Sequence, residues 1–227
     1  MHEGISFDLS EIIEDDQRVS QYEKQLEENE LLSKQRKYEA SGVPEKFWKE
    51  SFETFSTESE KDKAGYDKVK QFSEKPANRV LILCGKNGNG KSHLASAVTR
   101  VCGGEYILSS MLCVKYDSAT GYKADMTREQ VLLHYSKVKM LVIDECCKYF
   151  LDENLEKFLL MQIIIMRYEN NLPTVLVTNA NKQAFIQFLG KAVYDRFTEV
   201  CTTIEFDGAS KRKELRNDTF AKTRVSA

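Results

Sequence analysis

No apolar run in this chain approaches the ~18–20 residues that span a bilayer, and the opening MHEGISFDLSEIIEDD is acidic where a secretory signal is basic and then apolar. A soluble, cytoplasmic protein with no membrane partner is expected. Histidine is scarce, at three residues, and the six cysteines (Cys84, Cys102, Cys113, Cys146, Cys147, Cys201) show neither CxxC spacing nor a nearby histidine pair. That excludes a zinc module and leaves reduced, mostly buried thiols. An excess of either charge is also lacking. With 33 Lys plus Arg against 35 Asp plus Glu, the whole-chain field gives no push towards nucleic acid, so any such contact must come from a local patch. Of the three prolines, none falls in the first 40 residues.

What is present is enough apolar surface, 41% of residues, for the core of one α/β domain with an appendage. Residues 1–40 hold many acids and one glycine, which favours helix. Ile12, Val19 and Leu26 recur at heptad spacing with Tyr22 between them, a thin apolar stripe on a charged helix. Such a helix either packs on its own domain as a solvated element or docks a partner. Residues 41–76 form a connecting segment in which Phe47, Trp48, Phe52 and Phe55 suit anchoring on a core, and its charged later part reads as a helix ending before Pro76.

From residue 77 onwards short apolar runs alternate with longer amphipathic ones. Strands are expected at 80–84, 106–109, 140–144, 174–178 and 202–206. Helices are expected at 91–101, 127–137, 154–169 and 182–198, the last broken near Gly190. Strands separated by helices imply a parallel sheet covered on both faces.

The sharpest signal is GKNGNGKS, comprising Gly85, Lys86, Asn87, Gly88, Asn89, Gly90, Lys91 and Ser92, between the apolar run VLILC and the helical segment starting HLAS. GxxxxGK[ST] in a strand–loop–helix context is a phosphate loop. Its glycines let backbone N–H groups face phosphates, and the following helix aims its positive end at the same anion. Lys91 is expected to reach the β and γ phosphates of ATP and Ser92 to ligate Mg²⁺, with His93 adjoining the nucleotide. The second half of the site is KMLVIDE. Asp144 at a strand tip is placed to hold the Mg²⁺, and Glu145 to act as general base on the attacking water. Asn179, in TVLVTNAN, is placed either to orient that water or to cap the next helix.

SGVPEKFWKESFETF, the phosphate loop, LVIDE, PTVLVTNAN and LGKAVYDRF together resemble the DnaC-type helicase loaders and the related IstB transposition helpers, a branch of the AAA+ ATPases. The resemblance runs from about Ser41 to Arg216. It implies a three-layer α/β P-loop fold with a five-stranded parallel sheet of order 5-1-4-3-2, carrying a short N-terminal helical extension. The stretch after Phe206 is too short for the separate lid domain of larger AAA+ proteins. Further implications are ATP-dependent self-association, a ring helicase as partner and contact with single-stranded DNA. Asn179 matches the family's sensor, Arg196 its arginine finger, and Arg212 its second sensor, with Arg216 as the rival position. On this reading residues 1–40 dock the helicase, 41–76 connect, and 77–227 form the ATPase core. Lys115, Lys123 and Arg128, with Tyr116 and Tyr122, are the basic and aromatic residues offered to DNA. An IstB-like helper of a transposase and a non-hydrolysing, ATP-switched adaptor are the alternative outputs of the same core.

Overall fold

The computed structural model describes residues 9–57, 60–76, 79–120, 124–148 and 152–208. Its elements run α1 (Leu9–Glu39), α2 (Glu60–Glu74), β1 (Val80–Cys84), α3 (Lys91–Cys102), β2 (Glu105–Leu108), α4 (Ser109–Ser118) and α5 (Arg128–Lys137). They continue with β3 (Leu141–Cys146), α6 (Glu153–Glu169), β4 (Thr174–Thr178), α7 (Lys182–Leu189), α8 (Lys191–Phe197) and β5 (Cys201–Glu205). The five strands form one parallel sheet in the order β2-β3-β4-β1-β5. This is the expected order read from its other edge.

Strand alternation divides the core. Val80, Ile82, Cys84, Leu141, Ile143 and Leu176 face α4 to α8, whereas Leu81, Leu83, Val142, Val175 and Val177 face α2, α3 and the segment after α1. The central strands β1 and β4 are buried along their whole length, which is why they read as unbroken apolar runs. Edge strand β5, CTTIE, buries only Ile204 fully.

Local chemistry sets the helix ends. Thr127 and Gln130 close a capping box on α5, Asp152 caps α6 and Asn181 caps α7. Gly190, at φ 89°, makes the expected break between α7 and α8. One helix has no counterpart in the sequence reading: α4 begins directly after β2, at Ser109, with no side-chain cap to announce it.

Arg167 of α6 is wholly buried without a carboxylate among its hydrogen-bond acceptors. It donates to the carbonyls of Tyr135, Val138 and Pro173 (2.9, 2.7 and 2.6 Å) and to Thr174 Oγ1 (2.8 Å). These bonds satisfy carbonyls at the end of α5 and the entrance of β4. Burial lowers the Arg167 pKa to about 10.

The 31-residue α1 is tied down at its end. Arg100 of α3 stacks over the buried Tyr38 ring, 4.0 Å from its centroid, and donates to Gln35, Trp48 and Glu50. Earlier along the helix Tyr22, Leu26, Leu31 and Leu32 are exposed, at 64, 47, 69 and 55%. The side chains of Ile12 and Val19 lie outside the described residues. Directly after α1, the Ser41 carbonyl accepts the Tyr106 N–H (2.8 Å), so the chain lays its backbone along edge strand β2. Phe52, Phe55, Val69 and Phe72 of the following segment are buried on the α3 side of the sheet. Among the described residues no helix is long and apolar enough to cross a membrane.

Candidate functional site

The phosphate loop is braced from two neighbouring strands. The Gly85 N–H donates to the Ala180 carbonyl beyond β4 (3.1 Å), and the Asn89 side-chain amide donates to the Phe206 carbonyl beyond β5 (2.8 Å). Gly85 and Gly90 have φ of 112° and 81°. A Cβ on Gly85 would stand 2.1 Å from the Phe206 oxygen, and one on Gly90 2.5 Å from the Phe55 ring. Only glycine fits either position. Lys91 is buried at the start of α3 with its ammonium on the loop's own carbonyls, those of Gly85 (2.7 Å) and Lys86 (2.6 Å). Lys86 and Asn87 are exposed at the loop tip.

Asp144, on β3, is buried and accepts two hydrogen bonds, from the Tyr106 hydroxyl of β2 and from the backbone N–H of Glu145, 2.6 Å away; Ser92, at the start of α3, interacts favourably with the same carboxylate. Burial pushes its pKa up, and the hydrogen bonds oppose that shift. Ser92 and Asp144 thus bring two oxygen donors together beside the lysine and the glycine loop, a set that suits a hard divalent cation carried with a triphosphate. The expectation of Asp144 at the very end of its strand is off by two residues, since β3 runs on to Cys146 through a register shift between Ile143 and Cys146. Glu145, in that bulge, and Cys147, just after the strand, take φ of 59° and 65°. Each left-handed residue costs on the order of 1–3 kcal/mol, and a bulge re-aims the side chain it carries. The Glu145 carboxylate pairs with Lys148 at 2.6 Å.

Asn179 follows β4 directly and is half-buried. The cap of α7 is supplied instead by Asn181, whose side chain accepts the Ala184 N–H (2.8 Å). Arg196 of α8 is exposed, while Val193 of the same helix is buried. The His93 ring is taken by the segment after α1: Nδ1 faces the Glu50 carboxylate (2.7 Å), Nε2 faces the Ser51 carbonyl (2.7 Å), and Phe55 packs edge-on. Its ring thereby braces α3 against that segment. Arg212 and Arg216 lie outside the described residues, as do Tyr122 and Lys123. Of the residues offered to DNA, Arg128 sits 5.1 Å over the Tyr116 ring and pairs with Asp117 (3.1 Å), while Lys115 is exposed on α4.

Tyr106 escaped the sequence reading because it lies 38 residues from Asp144. Only the β2–β3 pairing, in which Leu108 is level with Asp144, brings it to the site.

The model of the IstB-like ATP-binding proteins matches residues 19–219. The replicative helicase loader DnaC of Escherichia coli K12 is 31% identical over 179 residues, covering 74% of this chain and 71% of that protein. Its namesake in Buchnera aphidicola of Schizaphis graminum is 27% identical over 210 residues, covering 86 and 82%. An ATP-binding protein of insertion sequence IS232 from Bacillus thuringiensis is 30% identical over 150 residues, covering 63 and 58%. Among solved structures, the DnaC helicase loader superposes with a TM-score of 0.60 at 18% identity, covering 72% of this chain and all of the other. DnaA of Aquifex aeolicus bound to AMPPCP gives 0.56 at 17% identity, covering 79 and 56%. With a phosphate loop on β1, paired acids on β3, an AAA+ fold and a family match spanning most of its length, the chain belongs to the IstB-like ATP-binding proteins.

Proposed function

We propose that this protein is an ATP-dependent loader that delivers a replicative ring helicase onto single-stranded DNA, with ATP binding and hydrolysis driving assembly and release. The observation that carries the reading is the exposed apolar run of α1, Tyr22, Leu26, Leu31 and Leu32, on an ATP-binding body whose curated relatives are named helicase loaders. Tyr22 and Leu26, one turn apart, share an exposed face of this helix, and an apolar face on a solvated helix is what a groove on a partner recognises. In this scheme residues 1–40 dock the helicase, 41–76 brace the site, and 77–227 form the ATPase core.

Lys91 turns from the carbonyls of Gly85 and Lys86 to the β and γ phosphates, and the loop N–H groups bind the same oxygens. Ser92 and Asp144 hold Mg²⁺, which supplies neutralisation of the charge developing on those oxygens. Glu145, released from Lys148, takes the proton of the attacking water, and Asn179 orients that water. Arg196, exposed on α8, reaches the site of an adjoining subunit, so self-association with ATP is part of the cycle and the lone subunit turns over slowly. Arg212 completes the site in cis, with Arg216 the other choice. Lys115, Tyr116 and Arg128 form the basic and aromatic patch offered to DNA.

The test is capture from the source cell with the full chain and with residues 1–36 deleted. The full chain is expected to retain a ring helicase and the deletion to lose it while still binding ATP. Recovery of a transposase instead would favour the transposition-helper reading, which the family match and the insertion-sequence relative support. A Glu145→Gln protein with the same negligible turnover as wild type, with and without single-stranded DNA, would favour the non-hydrolysing adaptor.

A further inference from the structure

Glu156 lies on the first turn of α6, yet it is 4% exposed. One of its carboxylate oxygens, Oε1, accepts two hydrogen bonds, from the Ser109 hydroxyl at the start of α4 (2.6 Å) and from the backbone N–H of Cys147 (2.8 Å). Ser109 is itself 1% exposed. The positive end of α4 adds to what offsets the burial of this charge. The Cys147 bond falls at a telling position. Glu145 is the left-handed residue within the β3 bulge and Cys147 the left-handed residue of the turn that follows the strand, with Cys146 between them, and such conformations persist only where the surroundings hold them. From the other side the Thr178 hydroxyl holds the Cys146 carbonyl (2.9 Å). Glu156 therefore fixes the far end of the three-residue turn that aims Glu145.

We propose that Glu156 is a positioning residue that clamps the bulge carrying Glu145, and through Ser109 fastens α4 to the same point. It touches neither nucleotide nor metal in this role, and its effect on turnover rests on the hydrolytic reading given above. The chemistry separates reach from charge. Glu156→Gln keeps an oxygen at the same distance from both donors, whereas Glu156→Asp keeps the charge but withdraws it by one methylene.

Two readouts test the clamp. In hydrogen–deuterium exchange of the full chain, the 145–148 backbone in Glu156→Asp is expected to exchange faster than in wild type, with the phosphate loop unchanged and Glu156→Gln close to wild type. In turnover with single-stranded DNA, Glu156→Asp is expected to lose roughly ten- to a hundredfold in kcat, the scale of a misplaced catalytic group, while affinity for a fluorescent ATP analogue stays within about twofold. Unchanged exchange at 145–148 in Glu156→Asp overturns the proposal whether or not the wild type hydrolyses ATP. Equal losses in the Gln and Asp proteins, or a loss of nucleotide affinity matching the loss of kcat, overturn it as well. Absence of wild-type turnover strikes at the hydrolytic reading alone, and the exchange result then decides the clamp.

Discussion

The Tyr106 hydroxyl donates to the Asp144 carboxylate, while the Tyr106 N–H donates to the Ser41 carbonyl just after α1. One residue on an edge strand therefore meets the expected metal ligand with its side chain and the N-terminal segment with its backbone. Removing the hydroxyl leaves a buried carboxylate short of one donor. Such a bond to a charged group is worth roughly 1.5–3 kcal/mol, so Tyr106→Phe is expected to weaken Mg²⁺-dependent nucleotide binding about tenfold or more. Titration of a fluorescent ATP analogue with and without Mg²⁺ checks this. Loss of equal size in both arms would place the role of Tyr106 in folding instead.

The backbone half of that relationship explains Gly42. At φ 87°, a Cβ there would stand 2.3 Å from the Tyr106 carbonyl oxygen, and neither backbone can yield without moving β2. Gly42→Ala is expected to cost about 2 kcal/mol or more, which for a chain of this size lowers Tm by roughly 4–8 °C. Gly103 also has a positive φ, of 70°, but a Cβ there meets nothing within 4 Å. Gly103→Ala should thus carry only the conformational part, and equal Tm shifts in the two proteins would refute the contact argument.

How far the sequence could carry this argument follows from which contacts are local. The phosphate loop is legible because its glycines, Lys91 and Ser92 act within eight residues of one another, and β1 and β4 are legible because burial on both faces leaves no polar position to interrupt the run. Tyr106 and Glu156 are not legible. The first reaches Asp144 across 38 residues and the second reaches Ser109 across 47, and nothing in EYIL or ENLEKF marks either. Helix α4 was missed for a related reason. Ser109 and Ser110 continue a strand without glycine or proline, and no side-chain cap marks the turn into helix; Ser109 instead donates to the distant, buried Glu156.

Arg167 carries the clearest stability prediction. Its loss would strand the carbonyls of Tyr135, Val138 and Pro173 and the Thr174 hydroxyl in the interior. Arg167→Met keeps the apolar stem but none of the donors, and is expected to destabilise the fold by about 3–5 kcal/mol. Chemical denaturation measures this directly; a change below about 1 kcal/mol would mean that water replaces the guanidinium at those carbonyls.

The thiols predict an alkaline limit. Burial raises the pKa of Cys84, Cys113 and Cys201 to about 11 and that of Cys147 to about 12, from an ordinary value of 9.0. An acid with its pKa raised in the folded state holds its proton where the unfolded chain has lost it. Stability from these groups is therefore complete below pH 9 and declines as pH rises from 9 to about 11–12. Denaturation midpoints measured from pH 8 to 10.5 should fall steadily. At pH 8 a thiol reagent should react slowly with these four and rapidly once the chain is unfolded. Fast labelling of all six cysteines in the folded protein would contradict the burial on which this rests.

Arg196 tests whether the site is shared between subunits. Val193 faces the core while Asp195 and Arg196 of the same short helix face solvent, so the guanidinium is presented outwards. Arg196→Ala is expected to bind ATP normally and to lose on the order of 10³-fold or more in turnover, the effect of an arginine supplied in trans. Lys91→Ala, lacking the ammonium that the loop carbonyls now hold, should fail at binding instead. Mixed in equal amounts, the two inactive proteins pair an intact loop with an intact finger at roughly a quarter of head-to-tail interfaces, so about that fraction of wild-type turnover should return. No recovery in the mixture, with each protein folded and associating, would place the finger elsewhere.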